Sequence, residues 1–115
     1  MDNIKLIEKK VSREYLKEIA EERFGDMIKA VVDLEKRVMA IGGELHADEE
    51  SFLLERSSKQ EDLWGINLYP DEEGKNFIVF DSMINIRPKQ NNRSRDVEDE
   101  RIRKEIIAIV DNLVT

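Results

Sequence analysis

The spacing of apolar residues changes several times along the chain, and each spacing points to an element. Ile4 and Leu6 alternate with polar neighbours, as in a short strand. Ser12 is a good N-cap for a helix over Arg13–Arg23, in which Leu16, Ile19, Ala20 and Arg23 share one stripe. Val11 and Leu16 suit a hydrophobic staple, and Phe24, Gly25 and Asp26 form a stop signal.

Residues 27–45 read two ways. Met27, Val31, Leu34, Val38 and Ile41 step by four and three, as on an amphipathic helix. Ile28, Ala30, Val32 and Leu34 also alternate with Lys29, Asp33 and Glu35, as in the first arm of a hairpin turning at 35–37 and returning through a bulge at Gly42-Gly43. Asp48 followed by Glu49 and Glu50 predicts a cap and a short helix from Glu49 to about Arg56. Residues 63–69 and 77–86 are strand-like and joined by a Pro- and Gly-containing loop at 70–75. A polar loop follows, and Asp96 or Asp99 then caps a last helix with Ile102, Ile106, Ile109, Val110 and Leu113 on one face.

Composition narrows the class. The chain has 115 residues, enough for one domain with one modest core and no linker to divide it. Without cysteine it has no disulfides, thiol catalysis or thiolate metal sites, which suits a cytoplasmic protein. Residues 1–10 hold no signal-peptide core, and no apolar run approaches the length of a membrane span. A net charge of −7 disfavours non-specific nucleic-acid binding.

Four runs carry a resemblance: Gly42-Gly43-Glu44-Leu45-His46-Ala47-Asp48, Asp62-Leu63-Trp64-Gly65-Ile66-Asn67, Ser82-Met83-Ile84-Asn85-Ile86-Arg87-Pro88 and Asn92-Arg93-Ser94. From about Asp26 onward the chain resembles a family of small prokaryotic proteins catalogued as a domain of unknown function. The resemblance implies a single-domain protein of about this length, and no activity, cofactor or partner. The chain departs from the family pattern in two places, beside Arg37, where the family has Gly, and at Ser57-Ser58, where it has Gly-Ser. The hairpin tip, which is Gly-rich in the family, favours the hairpin for 27–45. The expected architecture is therefore a single α+β domain, β-α-β-β-α-β-β-α, with an antiparallel sheet covered on one face by the terminal helices. A helix-rich protein with one hairpin is the alternative.

Three groups are candidates for chemistry. Glu44, His46, Asp48 and Glu49 place one imidazole among carboxylates. They would hold a divalent metal that activates water, or make His46 a general base beside a carboxylate, giving a small hydrolase or nuclease. The plain alternative is a helix cap at Asp48 with His46 bonded to backbone. Arg87, Lys89, Asn91, Asn92, Arg93, Ser94 and Arg95 form a loop suited to a phosphate or other anion, and this anion-binding module is the favoured function. Its alternative is internal pairing with residues such as Asp81 or Glu98. Trp64, Asn67, Asp81, Ser82 and Asn85 make a looser group in which Trp64 would stack a ring or simply fill the core. A protein partner is a third functional reading, and the apolar face of the last helix leaves a homodimer open.

Overall fold

The computed structural model describes residues 3–115; the first two positions of the N-terminal stretch lie outside it. The elements are β1 (Lys5–Ile7), α1 (Arg13–Arg23), β2 (Ile28–Asp33), β3 (Val38–Ile41), α2 (His46–Leu54), β4 (Leu63–Leu68), β5 (Ile78–Val79) and α3 (Glu100–Leu113), in the expected order. Four single 3-10 turns lie between them. All strands pair antiparallel in one sheet of order β1-β3-β2-β4-β5, which leaves β1 and β5 at its edges.

Residues 27–45 form the hairpin. Alternation decides this: Ile28, Ala30 and Val32 face one side with Met39 and Ile41, while Val31 and Ala40 face the other, and all are buried. A single helix would have put half of these apolar residues in water. Asp33 closes the turn, its Oδ1 accepting from the N–H groups of Glu35 and Lys36 at 2.9 Å.

The larger core lies between the sheet and the two terminal helices. Leu16, Ile19 and Ala20 of α1 and Ile106, Ile109, Val110 and Leu113 of α3 meet Ile28, Ala30, Val32, Trp64, Ile66 and Leu68. Ser12 caps α1 through Tyr15 N–H at 3.1 Å, and Asp99 rather than Asp96 caps α3 through Arg101 N–H at 2.8 Å. The opposite face is covered as well: Leu53 and Phe52 of α2, with Ile84, pack on Val31, Ala40 and Leu63. Among the described residues no helix is long and apolar enough to cross a membrane.

Two expected boundaries are corrected. Helix α2 starts at His46, three residues before the expected start, and Asp48 does not cap it. Glu49 fastens the entry instead, its buried carboxylate accepting from Gly43 N–H at 2.9 Å. The strand-like run 77–86 shrinks to Ile78–Val79, because the Asn85 side chain replaces the next rung of the ladder. Its Oδ1 accepts from Gly65 N–H at 2.8 Å and its Nδ2 donates to Gly65 O at 2.9 Å. Those are the two bonds a strand residue opposite Gly65 would have made. A Cβ on Gly65 would lie 2.6 Å from Ser82 Cβ and Oγ, so a glycine is needed where the chain crosses over β4.

Candidate functional site

The arginine loop is a self-contained unit. Arg87 and Asn92 exchange backbone hydrogen bonds of 2.7 and 3.2 Å around a tight turn, with Asn91 left-handed at φ 60°. The Arg87 guanidinium donates to the carbonyls of Gln60 and Leu63 and stacks on the Trp64 ring, 4.3 Å from its centroid. Burial holds its pKa below the ordinary arginine value, opposed by the charge of Glu50. Its two terminal nitrogens are therefore engaged with backbone carbonyls. Trp64, 1% exposed, is core and offers no face for stacking a ligand.

Arg95, Asn92 and Ser94 are engaged as well. Arg95 Nε donates to Asp81 Oδ1 at 2.6 Å. Asn92 Nδ2 donates to the carbonyls of Asn85, Ser94 and Asp96 at 2.7, 3.1 and 2.7 Å, and its Oδ1 accepts from Glu98 N–H at 2.8 Å. The Glu98 carboxylate accepts from Ser94 Oγ at 2.6 Å and Arg93 N–H at 3.0 Å. These bonds, led by Ser94, pull its pKa below the usual carboxylate range. The Arg93 side chain is exposed.

The second candidate group is dispersed. Glu44 is exposed and pairs with Arg23 at 3.1 Å, Asp48 is half-buried on the first turn of α2, and Glu49 turns back to Gly43. His46 Nε2 lies 2.7 Å from Ile66 O, so that nitrogen carries the proton and donates to the carbonyl. Burial pushes the His46 pKa down to about 4, against the opposing effect of that hydrogen bond. Among the described residues no three His, Asp or Glu side chains are placed to hold a metal ion together. The charges acting on His46 come from Lys29, Asp81 and Arg95. Asn67 joins that neighbourhood by donating from Nδ2 to Asp81 O at 3.2 Å.

A larger concavity opens elsewhere. A groove of about 810 Å³ runs between the edge strand β5 and α3. Phe77, Ile78, Val79 and Phe80 form its strand side, and Glu100, Arg103, Lys104, Ile107 and Asp111 its helix side. Arg13 stacks on Phe77 at 3.9 Å, and Arg103 stacks on Phe80 at 4.7 Å while pairing with Asp96 at 3.0 Å. Val79 and Ile107 are 38% and 39% exposed. None of the site residues expected from the sequence lines this groove.

The profile of the family described as "Protein of unknown function (DUF5674)" matches residues 5–113. The chain belongs to this family. No curated protein and no solved structure matches the chain. The family's description assigns no chemistry, so a functional reading has to come from geometry. Sequence reasoning missed the groove, though one signal was present. Ile107 follows Ile106 and points about 100° away from it, off the core face of α3, with Arg103, Lys104 and Asp111 at helical spacing around it.

Proposed function

We propose that the protein is a non-enzymatic binding module whose ligand seats in the groove between β5 and α3. The sequence favoured a binding module too, but at the arginine loop. The observation that moves the site is the contrast in hydrogen bonding: the Arg87 terminal nitrogens and the Asn92 carboxamide bond to backbone and the Glu98 carboxylate to Ser94 and Arg93 N–H, whereas the groove presents half-exposed apolar side chains flanked by charge. Concave, mainly apolar surfaces with a few charged groups at the margin are the usual ligand sites of small domains. A metal-assisted hydrolase gains no comparable support, since Glu44 and Glu49 turn to Arg23 and Gly43. A cytoplasmic setting accords with the proposal, because a chain without cysteine gains nothing from an oxidising compartment.

The test is an amide-correlation NMR titration of labelled protein with three series: aromatic carboxylic acids, nucleotides and short peptides. The expected result is shifts confined to residues 75–80 and 103–111 in at least one series. Shifts centred on 93–95 or around His46, or groove amides that stay still in all three series, would overturn the proposal.

A further inference from the structure

We infer that the occupant of the groove is an extended peptide segment of low net charge that adds to β5 as a sixth strand; this rests on the groove being the binding site. The register of β5 carries the argument. Asn67 faces Val79 and Leu68 faces Ile78, and Tyr69 N–H donates to Phe77 O at 2.9 Å. In an antiparallel ladder, pairs alternate between exchanging hydrogen bonds and not exchanging them. Phe77 and Val79 therefore turn their backbone groups toward β4, and Ile78 turns its N–H and C=O away from the sheet. Phe80, two residues on and past the end of β5, would continue that row if the backbone stays extended. Among the described residues no hydrogen bond engages the outward groups of Ile78 or Phe80. An edge of this kind is a template for another strand unless something covers it.

The chain itself supplies a backbone partner at one end of the row. Ser82 N–H, two residues beyond Phe80, donates to Arg95 O at 3.0 Å, and the adjacent Asp96 lines the groove. A bound peptide would extend that backbone pairing over Phe80 and Ile78. Alternate side chains of such a strand would fall on the α3 side, against Phe77, Phe80 and Ile107, so apolar residues are expected at every second position.

Charge selects among occupants. Arg103 is paired with Asp96, and Arg13 donates to the carbonyls of Pro70 and Glu72. Arg13, Lys75, Arg103 and Lys104 against Asp96, Glu100 and Asp111 leave the lining with a net charge of +1. A segment of low net charge suits so nearly neutral a lining. A second copy would bring a net charge of −7 to a molecule that itself carries −7.

The experiment starts from a phage-displayed library of random dodecapeptides panned on the intact protein. A selected peptide is then synthesised with a single backbone N-methyl group at each position in turn. The expected result is a two-residue period: methylation at alternate positions weakens binding about fivefold or more through a lost hydrogen bond, and at the intervening positions it changes little. The Ile78 and Phe80 amides should shift and exchange more slowly in the complex, and Ile107→Glu, at a half-exposed position, should lower affinity with the NMR spectrum of the fold intact.

Loss of affinity without that period, or an Ile78 amide that does not respond, would overturn strand addition. Small compounds that bind the groove when no peptide does would refute the peptide but leave the groove as the site. If neither peptides nor compounds move the groove amides, both readings fail. Sedimentation as a dimer with Ile78 protected in the free protein would assign the edge to a second copy instead.

Discussion

Acidification from pH 7 to 5 should destabilise this protein through one side chain. His46 is the sole histidine, and burial beside Ile66 O lowers its pKa to about 4 in the folded state, against 6.5 ordinarily. Between those values the unfolded chain binds a proton that the folded chain refuses, so stability rises with pH across the window and falls as pH drops through it. At 1.36 kcal/mol per pH unit, the loss from pH 6.5 to 5 is about 2 kcal/mol, and it reaches about 3 kcal/mol by pH 4. Against a total of roughly 5–15 kcal/mol for a domain of this size, that is easily measured. Urea unfolding at pH 7, 6 and 5 would be compared for the parent and for His46→Gln, whose amide can still donate to Ile66 O but does not titrate. The parent should lose about 2 kcal/mol more than the variant between pH 7 and 5, and the lone imidazole signal in the proton NMR spectrum should hardly move above pH 5. An imidazole midpoint near 6.5, or a parent-to-variant difference that does not change with pH, would refute the reasoning.

Three further outcomes can be checked by denaturant unfolding. Asn85→Ala strands Gly65 N–H, Gly65 O and Arg95 O at a fully buried position and should cost about 3 kcal/mol, with a loss below 1 kcal/mol contradicting the rung-replacement account. Gly65→Ala forces Ser82 away from a Cβ at 2.6 Å and should cost about 1–3 kcal/mol, much of it recovered by adding Ser82→Gly. Ser57→Gly should stabilise by about 1 kcal/mol, because Ser57 sits at φ 73° past the end of α2, and an unchanged midpoint would show that this backbone carries no strain.

The fold was legible because period and local chemistry agreed over most of its length. Leu16, Ile19 and Ala20 on one stripe, together with the Ser12 cap, specify α1 without outside help. For residues 27–45 the two periods competed, and pairing of β2 with both β3 and β4 settled the matter, a long-range effect that no local window contains. The end of β5 was illegible for a similar reason. Residues 77–86 have strand composition, but the Asn85 carboxamide, 20 residues along the chain from Gly65, takes the bonds that would have continued the ladder. The start of α2 shifted because Glu49 reaches Gly43, whereas the sequence made Asp48 the obvious cap.

The candidate site was less legible because the residues that stand out in the sequence do structural work. His46 ties α2 to β4 through Ile66, Gly65 makes room for Ser82, Arg87 covers Trp64, and Asn92 gathers three carbonyls of its own loop. These lie within the four runs singled out in the sequence, and those runs join β4, the crossing over it and the arginine loop. Polar residues of distinctive type whose bonds go to backbone maintain a fold rather than meet a ligand. The groove is built from the opposite kind of residue: Phe77, Val79, Phe80 and Ile107 are unremarkable in sequence and become a surface only because β5 is short and lies at the edge. The same Asn85 side chain that cuts β5 short brings the chain back over β4, and Ser82 then meets Arg95, whose neighbour Asp96 lines the groove. The connection that hides the site from a sequence reading is thus the one that leaves the edge of β5 open beside α3.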